Sequence, residues 1–218
     1  MKLINILEDL LNNKNQTYFD KGYDFEDYFE SQLIKFNYES LNVNISKELK
    51  AKILNCDDFI YNETGLIGYK KEPFGSQSFP DFLLFEKNNI LSLELKTSQK
   101  TDKPMWNNSL PRQHGIYIFM AYSDQPERTE TLMFLGKDVI TQHATNVLKN
   151  KMKAIQEASK FTKEELAALD FYNYGWDSYV RANYQQSIHC SRTIPSFVDN
   201  PNKNKNNQNV IDYLKQMR

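Results

Sequence analysis

Cysteine is scarce in this chain: Cys56 and Cys190 stand far apart and in no CxxC pattern. That spacing offers no disulfide framework, and the expectation is a reduced, cytoplasmic protein. His114, His143 and His189 share no metal-ligand spacing, and His189 beside Cys190 makes no zinc site. No Walker loop or dinucleotide fingerprint occurs. No internal repeat is visible. No window approaches the roughly 20 apolar residues of a membrane span, so no membrane partner is expected. The opening run MKLINILEDLLNNKNQ has one early lysine, then Glu8 and Asp9, and no small-residue cleavage site, which does not read as a secretory signal.

Net charge is also nearly absent, at −1. Its distribution is uneven. Residues 1–98 carry 11 basic against 16 acidic side chains, and residues 99–218 carry 16 against 12. A protein that grips phosphates needs one basic face rather than a basic whole, so the local excess is what counts.

With 218 residues the chain can bury a real core without disulfide or metal. The expectation is one domain over 1–218, or one with a small helical subdomain over 159–218 serving recognition or dimerisation. Leu3–Leu11 has helical periodicity. Asp24 resembles an N-cap for a helix whose Phe25, Tyr28, Phe29, Leu33 and Phe36 recur at helical spacing. Residues 45–60 read as a helix, or a helix and a turn. Residues 60–79, with Gly65, Gly68 and Gly75, read as irregular or edge structure. PDFLLFE, KNN and ILSLELKTS read as a β-hairpin, and GIYIFMAYS (115–123) and TLMFLG (131–136) as further strands. Asp138–Ala158 reads as a helix, and Thr162 with Glu165 has capping-box spacing before another. Residues 201–209, PNKNKNNQN, read as a polar loop before a short C-terminal helix. The fold class is therefore mixed α/β, or α+β.

The chemistry is concentrated in that hairpin. Alternate residues of a strand share a face, so Glu94 and Lys96 project together. A turn at Lys87–Asn88 sets Asp81 opposite Glu94, whereas a turn at Asn88–Asn89 sets it opposite Lys96. Either register gathers Asp81, Glu94 and Lys96 on one face and sends Phe82, Leu84, Leu91, Leu93 and Leu95 to the other, the natural core face. Two carboxylates side by side on an apolar hairpin repel each other. A divalent cation with hard oxygen ligands relieves that repulsion, and the Leu95 carbonyl offers a further oxygen. Such an ion activates water and a phosphodiester, and Lys96 is placed to orient the water or offset developing charge.

FPDF (79–82) and LELKTS (93–98) resemble the signature of the PD-(D/E)xK nuclease superfamily. The run from Leu93 through the polar loop to the next strand resembles restriction enzymes of the EcoRV kind. The resemblance implies a central mixed β-sheet flanked by helices, restriction-endonuclease-like, with the motif on a hairpin. It implies that Asp81 and Glu94 bind Mg2+, that Lys96 assists the attacking water, and that the ends carry 5′-phosphate and 3′-hydroxyl. Family members often place an acid on the first helix near the metals. Glu26 and Glu30 are the candidates, and Glu26 is preferred because it follows Phe25 at the helix start.

Gln77 before the motif, and Ser98, Gln99, Lys100, Thr101, Trp106, Asn107, Asn108 and Arg112 after it, form the expected DNA-binding set. Arg, Asn and Gln are suited to reading base edges, and a polar loop to phosphates. The aromatic and polar stretch 171–192 is a recognition arm, a dimer contact or plain surface. Gly115–Ile116–Tyr117 matches half of a GIY-YIG motif, but no second half follows, so it is read as a buried strand. The function expected is a type II restriction endonuclease acting on double-stranded DNA as a homodimer beside a companion DNA methyltransferase. The alternatives are a nicking, repair or junction-resolving nuclease, or an inactive DNA-binding protein of the same fold.

Overall fold

The computed structural model describes residues 2–12, 22–56, 58–76, 78–99, 104, 106, 110–122, 129–168 and 197–217. The first helices are α1 (Lys2–Asn12), α2 (Gly22–Lys35) and α3 (Lys47–Asn55). The strands β1 (Ile60–Tyr61), β2 (Gly68–Lys71), β3 (Phe82–Phe85), β4 (Asn89–Gln99), β5 (Ile116–Tyr122) and β6 (Glu130–Leu135) follow. Helices α4 (Gly136–Val139), α5 (Gln142–Ala158), α6 (Lys163–Ala168) and α7 (Lys203–Gln216) complete the order. A mixed six-stranded sheet runs β2-β3-β4-β5-β6, with β1 paired to the start of β4.

Strand β4 is the spine. Its first half pairs antiparallel with β3, and its second half pairs parallel with β5. The β3–β4 hairpin turns at Lys87–Asn88. Phe82 faces Leu93, Phe85 faces Ile90, and the Glu86 amide donates to the Asn89 carbonyl at 2.9 Å. Of the two registers open from the sequence, this is the one that carries Asp81 to the position opposite Glu94.

Both sheet faces are covered, as a mixed sheet with near-continuous apolar strands requires. On one face Phe82, Leu84, Leu91, Leu93 and Leu95 join Ile116, Ile118 and Met120 under α1, α2 and α7. Phe25, Phe29 and Leu33 of α2 are fully buried there, at the spacing expected of an inward stripe. The opposite face holds two separate clusters. One gathers Leu83, Phe85 and Ile90 with Ile53 and Ile60. The other gathers Tyr117, Phe119, Leu132 and Phe134. The strip between them carries Asp81, Glu94 and Lys96.

Several expectations need correction. Helix α2 starts at Gly22, so Asp24 lies in its first turn and is not its N-cap. Asp138–Ala158 is two helices, because Thr141 restarts the chain as an N-cap whose hydroxyl accepts from Ala144 N at 3.1 Å. The capping box at Thr162 and Glu165 forms with both bonds, at 2.8 and 3.1 Å. The largest correction concerns 201–209: most of this polar run is the beginning of α7. Its composition suggests a loop because its polar side chains bond to the sheet edge, which local sequence does not show. Asn207 Oδ1 accepts from the amide of buried Met133 on edge strand β6 at 2.7 Å, Lys203 pairs with Glu130 at 2.9 Å, and Asn209 donates to Asp138 at 2.9 Å. Val210, Ile211, Tyr213 and Leu214 then enter the main core, so this part of 159–218 packs with the sheet. An edge strand covered in this way is closed to foreign strands. No helix among the described residues is long and apolar enough to cross a membrane.

Asn207→Ala leaves the Met133 amide buried without its acceptor, and should destabilise the fold by about 1–3 kcal/mol in urea unfolding. Asn207→Asp, which keeps an acceptor oxygen, should cost less. A loss below about 0.5 kcal/mol for Asn207→Ala would show that the helix is not held by this bond.

Candidate active site

Asp81 stands one residue before β3, where that strand parts from β4. Its backbone is held by the residue that follows β2: the Glu72 amide donates to the Asp81 carbonyl at 2.7 Å. Its side chain reaches across to β4, where Oδ2 accepts from the Leu95 amide at 2.7 Å. In a strand the N–H and C=O of one residue leave along the same edge. The Leu95 carbonyl is therefore directed to the side that Asp81 occupies, while the Leu95 side chain is buried in the main core.

Glu94 and Lys96 lie on the same face of β4 and are ion-paired through Glu94 Oε1. Their side chains are only 12% and 18% exposed. The other carboxylate oxygen of Glu94, Oε2, is buried and has no hydrogen-bond partner. Beyond Glu94 in the sheet is fully buried Tyr117, its register partner on β5. Tyr117 Oη accepts from the Arg112 amide at 2.8 Å.

The electrostatics follow from this crowding. Burial pushes the Asp81 carboxyl up to about 7, Glu94 pushes in the same direction, and Lys96 and the Leu95 amide oppose it. Glu26 on α2 also raises Asp81. The Glu26 carboxyl is itself raised, first by burial, with Lys71 opposing and Glu72, Asp27 and Glu94 adding. Three carboxylates thus act on one another in a poorly hydrated space.

The two first-helix acids are placed differently. Glu30 is engaged elsewhere: Tyr69 Oη donates to its Oε1 at 2.8 Å and Lys71 Nζ to its Oε2 at 3.0 Å. Glu26 adds to the rise of the Asp81 carboxyl, and Glu94 adds to that of Glu26. Ser98 shares the Glu94 face and is buried at 9% exposure. Trp106 packs edge-on against Tyr117 at 5.2 Å in the aromatic cluster. Arg112 is built into the same wall by its backbone bonds to Tyr117 and Gly115. Gln77, Lys100, Thr101, Asn107, Asn108 and the stretch 171–192 lie outside the described residues, as does the side chain of Gln99. Lys71 and Glu72 were not singled out from the sequence. The only local signal was a Tyr-Lys-Lys-Glu run leaving a glycine, which reads equally as an exposed edge.

Among the described residues no group of three or more His, Cys, Asp or Glu converges as a protein-only metal cage. The donor set that exists is two adjacent carboxylates and a backbone carbonyl, with a buried carboxylate oxygen left unpartnered. Hard oxygen donors in that small number fit Mg2+, which keeps several of its waters. Compared with family models, with curated proteins and with solved structures, the chain matches none.

A carboxyl whose pKa is raised on folding makes the native state bind the extra proton, so its contribution to stability declines as pH rises from about 4 to about 7. Asp81→Asn removes that decline and keeps an oxygen for the Leu95 amide. In chelator, its melting temperature relative to wild type should therefore climb between about pH 5 and pH 8. Excess Mg2+ should raise the wild type and leave the variant unmoved. Parallel pH profiles with no response to Mg2+ would count against a charged pair at this position.

Proposed function

We propose that this chain is a Mg2+-dependent endonuclease that hydrolyses double-stranded DNA at a specific sequence, in the manner of a type II restriction enzyme. The observation that carries the reading is the meeting of Asp81 and Glu94 on one sheet face beside Lys96, with Glu94 Oε2 buried and unpartnered. A hairpin that buries two like charges this way is destabilised unless a cation or a proton joins them. The order of these residues along the chain adds the resemblance to the PD-(D/E)xK signature.

In this reading Asp81, Glu94 and the Leu95 carbonyl hold the ion. An Mg2+ ion held there would lower the pKa of a bound water and polarise a phosphodiester. Lys96, now paired with Glu94, turns part of its charge to the attacking water and the phosphate, orienting the one and offsetting the developing charge of the other. The Leu95 amide keeps Asp81 turned toward β4. Glu26 adds a third negative charge from α2. The water oxygen would bond to phosphorus as the P–O3′ bond breaks, the water giving up a proton to solvent and the departing 3′ oxygen taking one up, which leaves 5′-phosphate and 3′-hydroxyl ends. Cutting both strands of a palindrome needs two such sites, which a homodimer supplies. A companion methyltransferase would protect the host DNA.

Digestion of supercoiled plasmid with the purified chain in Mg2+ tests this. We expect discrete linear fragments, none in chelator, and loss of cutting by at least about a hundredfold in Asp81→Ala and Lys96→Ala. DNA binding should largely survive in both. Nicks alone, or cutting confined to branched substrates, would redirect the reading to a repair or junction nuclease. Undiminished cutting by either variant would remove the assigned site.

A further inference from the structure

Lys71 is the last residue of β2 and faces Phe82, the residue after Asp81, across the sheet. The next residue, Glu72, donates its amide to the Asp81 carbonyl. From this point the Lys71 ammonium crosses to α2 and binds two acids of that helix, Asp27 at 2.7 Å and Glu30 at 3.0 Å. Glu30 is gripped a second time by Tyr69 of the same strand, at 2.8 Å. Glu26 lies beside these ties: it precedes Asp27 by one residue and Glu30 by one turn. Clamping those two neighbours sets the rotation and height of α2 at Glu26.

We propose that Lys71 is the positioning residue that sets where Glu26 stands relative to the Asp81–Glu94 pair, so that the helix acid acts on the hairpin site as a nearby charge. The proposal rests on the nuclease reading above. Each tie has a counterpart in the fold. The buried stripe of α2, Phe25, Phe29 and Leu33, fixes which side of the helix meets the sheet. The Lys71 ammonium adds a polar tie from the end of β2 to two successive turns of that helix. The ammonium also lies 5.9 Å from the centre of the ring of Phe82, the residue after Asp81. Its charge matters as well as its reach. Lys71 is the influence that favours ionised Glu26, while Glu72, Asp27 and Glu94 all oppose it. Without Lys71 the first turns of α2 would present a run of acids to the acidic hairpin, and the helix would be repelled from it.

The test is a double-mutant cycle in the intact chain. Plasmid cleavage rate and its dependence on Mg2+ concentration are compared for wild type, Lys71→Met, Glu26→Gln and the double variant, with folding checked by thermal unfolding in chelator. Lys71→Met should slow cleavage about tenfold or more and raise the Mg2+ midpoint, because a small misplacement of a site group is costly. Lys71→Arg, which can still bridge two carboxylates, should recover most of the rate. In the Glu26→Gln background Lys71→Met should add no further slowing, since coupled residues are not additive. If Lys71→Met does not fold, Glu30→Gln loosens the same clamp from the helix side and should behave in the same way. Equal slowing in both backgrounds, or a change in melting temperature with no change in the rate of folded protein, would overturn the proposal while leaving the nuclease reading intact. A wild type that cuts no DNA in Mg2+ would instead defeat the nuclease reading. The cycle would then be read as the Mg2+-dependent rise in melting temperature, and undiminished rises in Lys71→Met would overturn the positioning role as well.

Discussion

Two carboxylates placed side by side on a half-buried hairpin are the constraint from which the rest of this structure can be understood. Asp81 and Glu94 face each other where β3 ends, and the surroundings hold them in place. The Leu95 amide binds one, the Lys96 ammonium binds the other, and the Glu72 amide fixes the backbone of the first. Burial first, and then the charge of Glu94, push the Asp81 carboxyl up to about 7, with Lys96 and the Leu95 amide opposing. An apolar pair there would hold the hairpin better, so stability alone does not account for the placement.

The packing explains why this strip exists. The helix-covered face is one continuous core, whereas the opposite face is split into the Leu83–Phe85–Ile90 cluster and the Tyr117–Phe119–Phe134 cluster. Where a sheet face is not sealed by one apolar layer, polar side chains can stand in the gap without being driven out. The two clusters limit water on either side, which strengthens every charge interaction between them. The same division gives the site rigid walls: Tyr117 stacks on Phe134 at 5.4 Å and contacts Trp106 edge-on. Pre-organisation of this kind is what transition-state stabilisation requires.

Much of this was legible in the sequence, for identifiable reasons. The hairpin and its polar face follow from period-two alternation, and the long apolar strands announce a buried sheet. The register stayed open between two turns because Lys87, Asn88 and Asn89 are all acceptable turn residues, and only the pairing of Phe85 with Ile90 decides. The choice between Glu26 and Glu30 was undecidable locally, since they lie one turn apart on one helix. Tyr69 and Lys71, some forty residues away, engage Glu30, a pairing that local sequence does not show. The start of α7 was unreadable because Lys203, Asn207 and Asn209 have their partners on β6 and at Asp138, not nearby in the chain. Trp106 and Arg112 look like loop residues by sequence, and the structure builds both into the wall beside Tyr117.

The most direct test is crystallographic: crystals grown with Mn2+ in place of Mg2+, with anomalous scattering measured at the manganese edge. We expect a single strong peak within coordination distance of Asp81 and Glu94 Oε2, with Lys96 moved off Glu94. A map with no peak there, and with Lys96 still bonded to Glu94, would contradict a shared ion and with it the chemistry proposed for this fold.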